Sequence, residues 1–170
     1  MEVSNRIVIF SKGNLEQIGT PREVYEQPEN EFVARFVGVM NVLEATVQGG
    51  RARAGELEFP APGLPEASKL RIGFRPFAVN ISPDPKTYRY RAVLRHTFFL
   101  GVMLRLELEL DSGVTIRSRM AKEAYTQLGL RDGQDVSFYI ANYRILPSEN
   151  EPLAPEICVT PPMATLGEGI

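Results

Sequence analysis

The sequence has very few of the residues from which catalytic and metal centres are usually built. Its 170 residues include one cysteine, Cys158, one histidine, His96, and no tryptophan. A single cysteine excludes an internal disulfide and a zinc site of several cysteines. A single histidine excludes a centre of several histidines and leaves His96 as the only base for a Ser–His or Cys–His pair. We therefore predict no catalytic residue and no metal ligand, with His96 as a hydrogen-bonded surface residue and Cys158 as a bystander.

Long apolar runs are also missing. The longest notable run covers residues 98–104, whereas a membrane-spanning helix needs about 20 residues. Residues 1–20 include four charged residues, so they lack the apolar centre of a signal peptide. These absences predict a soluble protein of a reducing compartment, with no segment that inserts into a membrane.

The formal net charge of −2 conceals an uneven distribution. Residues 69–145 contain 13 basic and 7 acidic residues, whereas the rest of the chain contains 6 basic and 14 acidic residues. Residues 147–170 hold five prolines, four glutamates and no basic residue, which predicts a mostly disordered tail. An anionic partner would therefore meet the middle of the chain.

Local signals in the first forty residues predict short elements. Residues 6–10 read as a strand with a returning partner, and Thr20, Pro21 and Glu23 form a capping box for a short helix. Asn30 is the predicted cap of a second helix that Gly38 ends. One face of that helix carries an apolar strip without a partner of its own size, formed by Phe32, Val33, Phe36 and Val37.

From residue 41 the apolar period changes to two, and turns rich in glycine and proline separate many short strands. The best-specified element is a hairpin around residues 111–113. A three-residue loop pairs Leu108 with Ile116 and places Glu107 opposite Arg117, and Gly113 then supplies the left-handed conformation. The pattern predicts a mainly β fold, a small β-barrel of the oligomer-binding type or a compact sandwich, with one short helix at residues 121–128.

Two surfaces are candidate binding sites. One face of the predicted strands is largely arginine and suits a tetrahedral oxyanion; it comprises Arg89, Arg91, Arg95, Arg117 and Arg119. The alternative is a solvated face that Glu107 and Glu109 neutralise.

The second surface is the consecutive apolar run Phe98, Phe99 and Leu100. A strand cannot bury three such residues on one face, which fits a homodimer interface. The alternative is a bulge or strand end covered by the loop at residues 60–65.

The first part of the chain resembles the end of the nucleotide-binding subunit of ABC-type importers, where that subunit leads into a regulatory barrel called the TOBE domain. The resemblance extends over residues 2–41. The residues that match the family are Arg6-Ile-Val-Ile-Phe, Gly13, Gln17-Ile-Gly-Thr-Pro21, Glu23-Val-Tyr25, Pro28, Asn30, Phe32-Val-Ala34, Phe36-Val-Gly38 and Asn41. Later stretches are most similar to the sulfate and molybdate group. They include Arg75-Pro76, although Phe77 and Ala78 replace the polar or acidic residues usual after that pair.

The resemblance implies three parts: residues 1–40 as the end of an ATPase domain, 41–146 as a TOBE-like regulatory barrel, and 147–170 as the acidic tail. It implies a homodimer within a transporter complex, on the cytoplasmic side of the inner membrane, and an oxyanion such as sulfate or molybdate as cargo. ATP and Mg²⁺ would belong to the longer parent ATPase. This chain has no G-x-x-x-x-G-K-[ST] phosphate loop, so we expect no cofactor and no ATP hydrolysis here.

Two other functions are compatible with the residues. A small barrel that binds single-stranded nucleic acid would use the basic middle segment and stack bases on the nearby aromatic side chains Tyr88, Tyr90, Phe98 and Phe99. The place of Tyr88 and Tyr90 on an apolar face argues against it, and we expect no nucleic-acid partner. A free-standing oxyanion-binding protein would have no use for the ATPase-like first forty residues.

Overall fold

A computed structural model describes residues 5–146. The predicted tail at residues 147–170 and Cys158 lie outside the described residues. The part before residue 41 contains a hairpin and two short helices, with the bounds β1 Ile7–Ser11, β2 Asn14–Gly19, α1 Pro21–Glu26 and α2 Glu31–Phe36. We call this part the lead segment.

The rest of the described chain is a barrel of two five-stranded antiparallel sheets. One sheet has the order β10-β9-β8-β11-β7, and its strands are β7 Val79–Ser82, β8 Tyr90–Leu100, β9 Met103–Glu109, β10 Thr115–Ala121 and β11 Asp135–Ile140. The other has the order β12-β6-β3-β4-β5, and its strands are β3 Asn41–Gln48, β4 Arg51–Ala54, β5 Leu57–Pro60, β6 Lys69–Phe74 and β12 Arg144–Leu146. A 3₁₀ turn, Pro76–Ala78, and one helix, α3 Lys122–Leu128, complete the barrel.

The core lies between the two sheets. Alternate residues of the facing strands are fully buried, among them Val47, Ile72, Leu94, Leu106 and Phe138. This alternation is what a sheet with one wet face requires. Three strands were not predicted from the sequence, β4, β7 and β12, and each has only three or four residues.

The hairpin of β9 and β10 has the predicted register. Leu108 pairs with Ile116 and Glu107 with Arg117, and Gly113 has a φ of 80°. That left-handed conformation costs glycine least. The three-residue loop is therefore confirmed.

The helix caps of the lead segment are also as predicted. Thr20 Oγ1 accepts a hydrogen bond from the Glu23 amide at 3.2 Å, and the Thr20 amide donates to Glu23 Oε2 at 2.8 Å. Asn30 Oδ1 accepts from the Val33 amide at 2.9 Å. α2 ends at Phe36 with Val37 as its C-cap, so Gly38 directly follows the helix as predicted, although its φ is not positive. Gly38 also permits close packing, since a Cβ there would lie 3.2 Å from the Tyr25 ring.

The apolar strip of α2 is divided between two environments. Val33 is fully buried with Ile9 and Val24, and Val37 packs against the same cluster. Phe32 and Phe36 stack on each other and remain exposed. The small apolar cluster of the lead segment is therefore made within the segment.

Arg75, between β6 and the 3₁₀ turn, joins the lead segment to the barrel. Its guanidinium donates to the carbonyl oxygens of Tyr25 at 3.0 Å, Ala34 at 2.9 Å and Gly38 at 3.1 Å. Tyr25 and Ala34 are in the last turns of α1 and α2, where carbonyls lack partners within the helix. The guanidinium also lies 4.5 Å from the centroid of the Tyr25 ring. One side chain of the barrel thus caps both helices of the lead segment.

Burial lowers the pKa of Arg75 below its ordinary value, and the nearby Arg144 acts in the same direction. Arginine nevertheless stays protonated in proteins. Among residues 5–146 no carboxylate pairs with Arg75. The negative ends of the two helices therefore supply its electrostatic compensation.

Replacing Arg75 by methionine should loosen the lead segment. The substitution keeps an unbranched apolar stem but leaves helix-end carbonyls without donors, which should lower the free energy of unfolding by about 2–4 kcal/mol. Urea denaturation measures the loss, and amide hydrogen exchange should accelerate most at residues 21–37. Arg22→Met is the matched control, because the Arg22 side chain is exposed and pairs with Glu26 on the surface of α1. Equal effects of the two substitutions would contradict the capping role.

Candidate functional site

The five predicted oxyanion-binding arginines do not form one cluster. Arg95 makes a bidentate pair with Glu109, with nitrogen–oxygen distances of 2.9 and 3.2 Å. Arg117 Nε lies 3.8 Å from Glu107 Oε1. The other three are exposed, with Arg91 beside β11, Arg119 opposite Arg105 and Arg89 directly before β8.

Arg89 joins a different group, on the outer surface of the other sheet. There the Glu58 carboxylate is shared by three guanidinium groups: Arg89 Nη2, Arg53 Nη2 at 3.0 Å and Arg51 Nε at 3.3 Å. Arg51 and Arg53 are on β4, and Glu58 is on the adjacent β5. We call these four residues the Glu58 cluster. It carries three positive charges and one negative charge.

Tyr90 fixes the position of this cluster. Its hydroxyl donates to the Glu58 carbonyl at 2.8 Å and accepts from the Glu58 amide at 3.1 Å. Its ring packs against Phe138 of the core, and the Arg89 guanidinium lies 5.4 Å from its centroid. One phenol therefore holds β5 of one sheet against β8 of the other.

The charges of the cluster act on one another. The hydrogen bond from Arg89 and the charges of Arg53 and Arg51 hold the pKa of Glu58 below its ordinary value, against the opposing effect of desolvation. Glu58 is consequently ionised at neutral pH, and the cluster keeps a surplus of two positive charges.

Sequence reasoning missed Arg51 and Arg53. The signal was present in the four-residue strand Arg51-Ala-Arg-Ala54, whose arginines alternate with alanines. Both alanines face the core, and Arg53 pairs directly with Glu58 across the hairpin. Recognising β4 as a strand would have placed both arginines on the outer face.

The predicted dimer residues lie at the tip of the hairpin of β8 and β9. A bulge between Leu94 and His96 changes which side chains face the core. Beyond it, Phe98 lies under the Arg105 guanidinium, 4.2 Å from the ring centroid, and His96 is exposed on the same outer face. Phe99 lies on the core-facing side of the sheet, opposite the buried Leu104 of β9, but it remains exposed.

The end of this hairpin is consequently apolar and exposed to solvent. Phe98 is 38% exposed, Phe99 68%, Leu100 49% and Val102 77%. Gly101, with a φ of 75°, and Val102 form the two-residue turn between the paired residues Leu100 and Met103. We call these four exposed residues the hairpin tip.

A half-open cavity of about 250 Å³ lies where the lead segment meets the barrel. Tyr25, Phe77 and Arg75 line it, together with Tyr143 and Arg144. Phe77 stacks on Tyr25 with a centroid distance of 6.3 Å, and burial raises the pKa of Tyr143 to about 12. The cavity is smaller than a typical pocket for an organic ligand.

Residues 5–146 contain no group of three or more His, Cys, Asp or Glu side chains that could hold a metal ion. The sequence has no G-x-x-x-x-G-K-[ST] phosphate loop. In the same residues no helix is long and apolar enough to cross a membrane.

Comparison with known proteins finds sulfate/thiosulfate import ATP-binding proteins. The chain is 37% identical over 145 residues to the one from Nitrosomonas europaea, in an alignment that covers 80% of this chain and 39% of the relative. For Bordetella pertussis the identity is 35% over 138 residues, with 79% and 39% covered. For Bradyrhizobium diazoefficiens it is 36% over 148 residues, with 85% and 41% covered.

The chain thus spans about two fifths of the length of these relatives. It is homologous to the C-terminal part of the ATP-binding subunits of ABC-type importers, which confirms the resemblance seen in the sequence. No protein-family model matches the chain.

Among solved structures, the chain is similar to the cytoplasmic molybdate-binding protein ModG with molybdate bound. The TM-score is 0.52 at 21% sequence identity, and the match covers 63% of this chain and 96% of that one. At this identity the likeness concerns the fold. It confirms the mainly β, TOBE-like barrel of the oligomer-binding type.

Removing the Tyr90 hydroxyl should weaken the link between the two sheets at the Glu58 cluster. Tyr90→Phe leaves the amide and carbonyl of Glu58 without their partner and should cost about 1–2 kcal/mol in the free energy of unfolding. Thermal or urea denaturation measures it. Tyr88→Phe is the control, because the Tyr88 hydroxyl has no hydrogen-bond partner among residues 5–146. A loss no larger than in the control would show that the hydroxyl is dispensable.

Proposed function

We propose that this chain is the regulatory and dimerisation part of the ATP-binding subunit of an ABC-type importer for sulfate or a related oxyanion. In the parent it follows the ATP-hydrolysing domain and has no ATPase activity of its own. The observation that carries the proposal is homology that covers 79–85% of the chain, and hence the lead segment and barrel together. A free-standing binding protein would need only the barrel.

Dimerisation follows from the hairpin tip. Four exposed apolar residues at the end of one hairpin lose contact with water when a second copy covers them. Two barrels that pair in this way hold two ATPase domains at a fixed distance on the cytoplasmic side of the transporter. A ligand that binds better to one arrangement of the pair then shifts the equilibrium between open and closed ATPase states.

The contacts of Tyr88 and Tyr90 favour this function over nucleic-acid binding. Tyr90 holds Glu58 and packs on Phe138, and Tyr88 packs on Tyr139 with a centroid distance of 4.8 Å. Both rings are engaged inside the fold, whereas base stacking needs exposed ring faces.

An aspartate at the hairpin tip should abolish pairing. The wild-type chain should elute at twice the 19.0 kDa of one chain, and Phe99→Asp should weaken association at least about 30-fold, as loss of a central aromatic anchor does. Size-exclusion chromatography with light scattering, over a range of concentrations, measures both.

Phe10→Asp is the matched control, because Phe10 is 62% exposed on the outer face of the lead hairpin. It should leave the dimer intact. A monomeric wild-type chain, or a dimer that Phe10→Asp disrupts and Phe99→Asp does not, would contradict pairing through the tip.

A further inference from the structure

We propose that the Glu58 cluster is a binding site for a tetrahedral oxyanion dianion, in which the Glu58 carboxylate is a built-in competitor for the three arginines. The inference rests on the proposed function, because it assigns the oxyanion a place on the barrel. That place is on the opposite sheet from most of the predicted arginine face.

The first argument is the number of unused donors. Each guanidinium carries five N–H groups in a planar fork that matches an oxyanion. Arg89 donates an aligned hydrogen bond to Glu58, and Arg51 and Arg53 contact its carboxylate at ion-pair distance. Arg51 Nε is itself buried and makes no aligned hydrogen bond although it lies 3.3 Å from the carboxylate. One carboxylate therefore leaves most of the hydrogen-bonding capacity of three guanidinium groups free.

The second argument is charge. The cluster has a surplus of two positive charges, which a dianion neutralises completely. The arginine side chains are accessible, with exposures of 38% for Arg51, 51% for Arg53 and 58% for Arg89, whereas Glu58 beneath them is 20% exposed. An incoming anion thus meets the guanidinium groups before the carboxylate.

The third argument is the contrast with Arg95 and Glu109 on the other sheet. One arginine there makes two hydrogen bonds to one carboxylate. The charges of the pair therefore cancel, and the edge of the Arg95 guanidinium that faces Glu109 is occupied. Both carboxylates lie on the outer surface of the barrel, but Glu58 contacts three arginines whereas Glu109 pairs with one. The two glutamates therefore form a matched pair for a test.

The position of the site between the two sheets predicts that a bound anion stabilises the barrel. Arg51, Arg53 and Glu58 belong to one sheet, whereas Arg89 precedes β8 of the other sheet. An anion held between Arg53 and Arg89 bridges the two sheets beside the contact that Tyr90 makes. Bound oxyanion should consequently raise the melting temperature of the barrel.

The test is a titration of the full chain with sulfate and with phosphate by isothermal calorimetry and thermal shift, with sodium chloride at equal ionic strength as the reference. Glu58→Gln removes the competing charge and should tighten sulfate binding about tenfold or more. Arg53→Gln should weaken it at least about tenfold. Glu109→Gln should stay within about twofold of the wild type.

Three outcomes would contradict sulfate binding at the Glu58 cluster. The first is no saturable binding to the wild type or to Glu58→Gln, and the second is equal affinity of Glu58→Gln and Glu109→Gln for sulfate. The third is loss of binding in Arg117→Gln and Arg119→Gln but not in Arg53→Gln, which would place the oxyanion site on the predicted arginine face instead. Light scattering on the same samples separates this failure from that of the proposed function, because a tip-dependent dimer without sulfate binding leaves the dimerising role in place.

Discussion

The hydrogen bonds of one buried guanidinium hold the two parts of this molecule together. Arg75 leaves the end of a barrel strand and donates to the C-terminal carbonyls of both short helices of the lead segment. Six-residue helices are marginal in water without tertiary support. Their position on the barrel therefore depends on a side chain that the barrel supplies.

Charge on the barrel surface is arranged in two different ways. On the sheet of β8, β9 and β10, Arg95 is matched by its own carboxylate, so the charges of that pair cancel. On the opposite sheet Glu58 is shared by three arginines, and its backbone is fixed by the Tyr90 hydroxyl. This difference in stoichiometry between the two carboxylates is the reason for proposing the Glu58 cluster as the anion site.

Local patterns predicted much of the fold because they report local physics. The capping box of Thr20 and the register around Gly113 follow from nearby residues alone, and both are confirmed. The close packing of Gly38 against Tyr25 was not predicted, because it is a tertiary contact. The Glu58 cluster was missed for the same reason: Arg89 is 31 residues from Glu58 along the chain, and a strand as short as β4 shows no clear period.

The central claim is that the barrel binds an oxyanion at the Glu58 cluster. Crystals of the full chain soaked in selenate, a sulfate analogue whose selenium scatters anomalously, test it most directly. The account predicts an anomalous peak within hydrogen-bonding distance of the Arg53 and Arg89 guanidinium groups, about 2.7–3.2 Å from their nitrogens to the oxyanion oxygens. A peak confined to Arg117 and Arg119, or no ordered selenate on the barrel, would contradict it.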